Sequence, residues 1–245
     1  MKVVVFGGTG LIGRKLIALL QTDGHEAVSA SPSSGVDTIA NVGLDEVLAG
    51  ADACVDVTNS PSFADDDVLA FFRTSTTHLL AAAARAGVRH YVALSIVGTD
   101  RVPTSGYLRA KVAQEELITN GPVPYTIVRA TQFFEFAPGI AASSVGSDGA
   151  SHLTPAKLQP VAADDVAATV ADAVQAPPVN GYVELGGPEK IGLDEFVRKA
   201  VGGNAKIVTD PSATYFGASI TDDSLVTSPG ARIGGITYDE WLAAR

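Results

Sequence analysis

The chain of 245 residues contains one cysteine, Cys54, one tryptophan and one methionine. A single cysteine excludes an intramolecular disulfide framework and a cysteine-built zinc cluster. A reducing compartment is the simpler reading. No run of about 18 uninterrupted apolar residues is present, so no spanning helix is expected. The start, Met1-Lys2-Val3-Val4-Val5-Phe6, superficially suggests a signal peptide. Its apolar run stops at Gly7, too soon for an h-region. Positive charge is also scarce: 17 Lys and Arg against 27 Asp and Glu leave a net charge of −10. Such a surface repels phosphate backbones, which argues against a nucleic-acid partner. The expectation is a soluble cytoplasmic protein, monomer or homodimer, that works on a small molecule and not on nucleic acid or a membrane.

What is present is a core. Hydrophobic residues make up 46% and charged residues 18%, enough for a sizeable folded domain. Short apolar runs closed by glycine alternate with segments of helical spacing. Val3 to Phe6, Ala27 to Ala30, a weak Val36 to Ala40, Ala53 to Val57, Tyr91 to Val97 and Tyr125 to Val128 are expected as strands. Leu11 to Leu20, Leu44 to Leu48, Asp65 to Ala86 and Tyr107 to Thr119 are expected as helices. That alternation predicts an α/β fold, a doubly wound parallel sheet of the Rossmann type. After about residue 130 the rhythm loosens. Helices are expected over Asp164 to Val174, Leu193 to Val201 and Tyr238 to Ala244, with a strand over Gly181 to Leu185. The chain reads as one domain, 1–245, in which 130–245 partly forms a small cap on the substrate side.

Gly7-Gly8-Thr9-Gly10-Leu11-Ile12-Gly13 lies between the first strand and the first helix. A loop with glycine at every third position turns sharply and brings backbone amides and a helix N-terminus to a pyrophosphate. Gly7, Thr9, Gly10 and Gly13 are therefore candidate dinucleotide-binding residues. The alternative is a loop that only turns a corner. NAD-binding chains usually place an acid about 20 residues on, against the ribose hydroxyls. Here Ser31-Pro32-Ser33-Ser34 stands in that place. The missing carboxylate removes repulsion against a 2′-phosphate, and the Ser31 and Ser33 hydroxyls can accept it. NADP(H) is thus expected over NAD(H). Arg14 either adds positive charge there or is an ordinary solvent-facing helix residue.

Tyr107-Leu108-Arg109-Ala110-Lys111 puts a tyrosine and a lysine four apart on one helix face. Ser95 falls at the C-terminal end of the preceding strand, where open α/β sheets bind ligands. Carbonyl reduction needs a proton donor at the developing alkoxide. A free phenol is sluggish near neutrality, and a neighbouring ammonium would lower its pKa. Ser95 would position the carbonyl oxygen. The competing reading is structural, with Lys111 paired to Glu115 and Tyr107 closing the core.

These residues, with Pro124-Tyr125-Thr126-Ile127-Val128-Arg129, Thr131-Gln132-Phe133-Phe134-Glu135-Phe136 and Gln159 to Ala167, resemble the atypical short-chain dehydrogenase/reductases. The resemblance is to their NmrA-like, NAD(P)-binding branch, and it covers essentially the whole chain. It implies that Leu11 and Ile12 offer backbone amides to the pyrophosphate and that Asn59 lies near the adenosine half. It implies that Lys111 also bonds the nicotinamide ribose and that Gln132 and Phe133 border nicotinamide and substrate. Thr58-Asn59-Ser60-Pro61 departs from the usual Asn-Ala-Gly turn, and the active-site asparagine of many classical members has no clear match. Many NmrA-like relatives lack the tyrosine and act as dinucleotide sensors.

The four histidines lack metal-ligand spacing, and no metal site is expected. Asp65-Asp66-Asp67 reads as a helix start, Phe71-Phe72 as core, and Trp241 as the anchor of the last helix. Phe133, Phe134 and Phe136 are expected to divide between core and pocket. The leading expectation is an NAD(P)H-dependent oxidoreductase acting on a small carbonyl, enone or quinone-like substrate. A non-catalytic NADP(H) sensor and a nucleotide-sugar epimerase are the alternatives.

Overall fold

A computed structural model describes residues 1–244 of the chain. In chain order the elements are β1 (Lys2–Phe6), α1 (Leu11–Thr22), β2 (Glu26–Ala30), α2 (Leu44–Leu48), β3 (Ala53–Asp56), α3 (Asp65–Arg85), β4 (His90–Ile96), α4 (Gly106–Thr119) and β5 (Tyr125–Ala130). Then follow α5 (Ala137–Ser143), β6 (Ser151–Leu153), β7 (Lys157–Leu158), α6 (Ala163–Gln175), β8 (Gly181–Gly186), β9 (Ile191–Gly192), α7 (Leu193–Val201), β10 (Ile207–Thr209), β11 (Arg232–Ile233) and α8 (Tyr238–Ala243). Seven strands form a parallel sheet in the order β11-β8-β5-β4-β3-β1-β2. The order reverses at β1. Its chain continues into β2 on one side, while β3 pairs on the other with Val3 opposite Ala53 and Phe6 opposite Asp56. A reversal of this kind leaves a crevice beyond the strand ends.

The described residues fall into two compact units. The first comprises Met1–Ser95, Gly106–Arg129 and Val166–Val183. Its inner strands are largely apolar, as strands covered on both faces are. Val3, Val4, Val5, Phe6, Cys54 and Val55 are buried, and Leu16, Leu20, Leu48, Leu79 and Ile118 from the helices pack among them. Glycines end the helices where the chain turns left-handed, at Gly24 after α1 and Gly87 after α3. One expected strand is absent. Over Val36 to Ala40 the Asp37 carboxylate accepts the amides of Ile39 and Ala40 at 2.8 and 3.0 Å, and a single bridge joins Asp37 to Val42. A side chain that satisfies its own backbone in this way curls the segment into a turn.

The second unit comprises Ile96–Ser105, Ala130–Asp165 and the described residues from Glu184 onward. Its core is aromatic. Tyr238 stands with its ring centre 4.8 Å from those of both Phe134 and Phe196, and its hydroxyl donates to the Phe196 carbonyl. Trp241 lies 5.5 Å from Phe134, and Thr237 and Glu240 cap α8 reciprocally. Two small strand pairs, β6 with β10 and β7 with β9, belong to this unit. No sequence pattern marks them, because two or three residues are too few to display a period. Among the described residues no helix is long and apolar enough to cross a membrane.

Candidate cofactor and catalytic site

The glycine loop begins where β1 ends. Gly7 takes a left-handed φ of +78°, donates its amide to the Ala30 carbonyl at 3.0 Å and accepts the Gly10 amide at 2.9 Å. A Cβ on Gly7 would stand 2.7 Å from the Val57 carbonyl oxygen. At Gly8 it would meet the Ser29 hydroxyl at 2.4 Å, and at Gly13 the Gly7 carbonyl at 2.3 Å. These three glycines are demanded by the protein's own packing.

Gly10 is different. Its backbone is extended, at φ −76° and ψ −178°, and its Cβ would meet only the Gly7 carbonyl, at 3.2 Å. Any residue can adopt that conformation, so the bare Cα leaves room that the protein itself does not use. Gly10 is also the N-cap of α1, and no side chain caps the helix. The first amides of α1, at Leu11, Ile12 and Gly13, therefore have no intrahelical acceptor and carry the positive end of the dipole. Room, donors and field coincide at one spot, which fits a pyrophosphate. Thr9 is exposed beside it.

After β2, Ser31 is buried and its hydroxyl lies 2.9 Å from that of Ser33. The Ser31 amide donates to Ser34 Oγ at 3.0 Å. The turn is thus built by its own serines, with no carboxylate at the end of the strand. Arg14 is exposed on α1.

Ser95, in β4, is 3% exposed, and its hydroxyl has no hydrogen-bond partner. Tyr107 stands in the first turn of α4. Its hydroxyl donates to Asn59 Oδ1 at 2.9 Å, and its ring lies against Phe63 at 5.5 Å and Phe72 at 6.1 Å. Burial pushes the phenol up to about 12, against a smaller opposite pull from the Asn59 bond. Lys111 is buried. Its ammonium donates to the Leu94 carbonyl at 2.9 Å and to Gln114 Oε1, and it rides 4.4 Å above the Phe72 ring. Burial draws it down to about 8, with Asp56 and Glu115 pulling the other way.

One expectation changes in this geometry. The ammonium was expected to lower the Tyr107 phenol, yet the phenol is raised. Its surroundings are apolar, and the ammonium is turned to Leu94 and Gln114. Asn59, implied to lie near the adenosine half, is bonded to Tyr107. Glu115 is paired with Arg129 through two hydrogen bonds of 2.9 and 2.6 Å and acts on Lys111 only as a nearby charge.

Gln132 and Phe133 belong to the second unit. Gln132 is buried with Oε1 unpartnered, and Phe133 stacks on Phe136 at 4.8 Å. Phe134 is core and Phe136 is exposed.

The sequence reading missed Asp56 and Gln114. Asp56 is a buried carboxylate closing an otherwise apolar strand. It accepts the Thr58 amide and hydroxyl at 3.0 and 2.6 Å, the Tyr91 hydroxyl at 3.1 Å and the Gln114 amide at 2.9 Å. An acid after Ala-Cys-Val was the available signal, since a lone charge at a core position needs partners.

The family model described as NAD(P)H-binding matches residues 7–177. A (4-alkanoyl-5-oxo-2,5-dihydrofuran-3-yl)methyl phosphate reductase from Streptomyces griseus is 31% identical over 160 residues, covering 58% of this chain and 53% of the relative. A chloroplastic divinyl chlorophyllide a 8-vinyl-reductase from Oryza sativa is 30% identical over 224 residues, covering 77% of this chain and 55% of the relative. The chain therefore spans about half the length of the curated relatives it matches. In fold it is similar to a short-chain dehydrogenase/reductase superfamily protein from Agrobacterium tumefaciens, solved with NAD. That likeness has a TM-score of 0.71 and 19% identity, covering 100% of this chain and 95% of the other.

Proposed function

The chain belongs to the NAD(P)H-binding family, and on that premise we propose that it is a reductase that prefers NADP(H) and acts on a small carbonyl, enone or quinone-like substrate. The observation that carries the reading is the space beside Gly10, faced by the uncapped amides of α1. The two curated relatives are named as reductases, one of an oxo-dihydrofuran and one of a vinyl group. Those names favour an acceptor with a conjugated double bond.

When bound, the nicotinamide supplies the hydride. The chain supplies the rest. Gly7, Gly10 and Gly13 shape the loop, and Leu11 and Ile12 bind phosphate through their amides. Ser31 and Ser33, with Arg14, favour a 2′-phosphate where a carboxylate would repel it. Tyr107 holds its proton at neutral pH, since burial keeps the phenol at about 12. It is therefore in the donating form when charge develops on the substrate oxygen. Ser95 has a hydroxyl proton without an internal acceptor, and it would donate to the same oxygen.

A titration following nicotinamide fluorescence, followed by a carbonyl, enone and quinone panel, tests this. Expected are micromolar or tighter binding of NADPH, weaker binding of NADH, and turnover that falls about 10²-fold in Tyr107→Phe. Equal affinities would refute the cofactor preference, and full turnover in Tyr107→Phe would refute the proton donor.

The second reading, a non-catalytic NADP(H) sensor, is favoured by one observation. Tyr107 already gives its one hydroxyl hydrogen to Asn59, and Lys111 gives two of its three to Leu94 and Gln114. It predicts tight cofactor binding with no turnover on any member of the panel.

A further inference from the structure

Gln114 is 1% exposed and three residues beyond Lys111, on the same face of α4. Its two amide ends meet groups of opposite and fixed character. Nε2 faces Asp56 Oδ2, which only accepts, at 2.9 Å. Oε1 faces the Lys111 ammonium, which only donates. The amide therefore has one possible orientation. It stands between a buried cation and a buried carboxylate and bonds both.

Without such a spacer, a buried ammonium and a buried carboxylate so near each other would close into a direct pair. The ammonium would then leave the Leu94 carbonyl, whose residue precedes Ser95, and the Phe72 ring that also supports Tyr107. Asp56 is held in turn by Thr58 and Tyr91, so it is a fixed anchor.

We infer that Gln114 is a positioning residue: its amide, anchored on Asp56, holds the Lys111 ammonium beside the end of β4, where Lys111 meets the cofactor. This rests on the reading of Lys111 as a cofactor contact. The groups that act on the ammonium come from every element around it. They are Asp56 of β3, the Leu94 carbonyl of β4, Glu115 of α4 and the Phe72 ring of α3; the Tyr91 phenol of β4 and Arg129 of β5 bond Asp56 and Glu115 and not the ammonium itself.

The test is the pH dependence of NADPH binding to the full chain, read by nicotinamide fluorescence without turnover. In the wild type, affinity falls as Lys111 loses its proton, with a limb near pH 8. Gln114→Glu keeps the shape but sets a second carboxyl against Asp56 Oδ2; the two can share a proton, and the negative charge added when that proton leaves favours the ammonium. The limb should move up by about one pH unit. Gln114→Met removes both bonds and should weaken NADPH binding about tenfold at pH 7. If Gln114→Met fails to fold, Gln114→Glu decides alone. An unchanged limb in Gln114→Glu overturns the proposal, as does a change in thermal stability alone, which is what a purely structural residue would give. Lys111→Met separates the two failures. If it binds NADPH like the wild type, the reading of Lys111 falls and the proposal with it. If it weakens binding while the Gln114 variants do not, only the proposal falls.

Discussion

At the scale of single residues, the informative feature is polar atoms without partners. Burying a hydroxyl with no hydrogen bond costs about 1–3 kcal/mol. Ser95 is buried in this way, directly after the carbonyl that receives Lys111. Ser95→Ala should therefore leave the thermal midpoint unchanged or slightly raised, because it removes an unmet hydroxyl. It should at the same time lower kcat/KM at least tenfold, because the substrate oxygen loses a donor. Thermal unfolding and steady-state kinetics on the same preparation check both halves. A variant that loses stability in step with activity would return Ser95 to an ordinary core role. Spacing and strand position suffice to pick out Ser95, Tyr107 and Lys111 as a candidate set. They do not give orientation. The i, i+4 spacing put Tyr107 and Lys111 on one face, but the direction of a four-carbon side chain is set by Asp56 and Gln114. One of these is more than fifty positions distant in sequence.

At the scale of elements, the loop between β1 and α1 carries the site, and its glycines divide by cause. Gly13 has Gly7 and Gly8 backbone within 2.3–2.8 Å of a Cβ, whereas Gly10 has only the Gly7 carbonyl at 3.2 Å. Gly13→Ala should destabilise by at least about 2 kcal/mol, because rigid backbone must move. Gly10→Ala should fold with nearly the wild-type midpoint and bind NADPH at least tenfold more weakly. Denaturant melts and cofactor titrations on the pair separate the causes. Equal destabilisation would mean that Gly10 is there only for the turn. The same contrast explains what the sequence made readable. Strand, glycine loop and helix follow one another without a gap, so spacing alone located the loop, and apolar runs such as Val3 to Phe6 located the central strands. Val36 to Ala40 misled because the Asp37 carboxylate takes amides that a strand would need. The short strands β6, β7, β9, β10 and β11 exist through tertiary pairing and leave no local pattern.

At the scale of the whole molecule, charge bears on which dinucleotide is selected. The net charge of −10 opposes every dinucleotide, and it opposes NADPH more than NADH because of the extra phosphate. That repulsion is long-range and fades as the Debye length falls from about 30 Å at 0.01 M salt to about 8 Å at 0.15 M. Selection by the Ser31 and Ser33 hydroxyls is short-range and insensitive to salt. Selection by the exposed Arg14 guanidinium is a charge effect and weakens with salt. The two sources therefore predict opposite trends in one ratio. The serines stand together at the end of β2, with Ser31 buried, so their share should dominate. The preference for NADPH over NADH should then rise about twofold or more between 0.01 and 0.15 M salt, as whole-molecule repulsion is screened and local bonds are not. Paired titrations at the two salt concentrations decide it. A preference that declines with salt, and that Arg14→Gln abolishes, would transfer the selection to Arg14 and leave the serines as builders of their own turn.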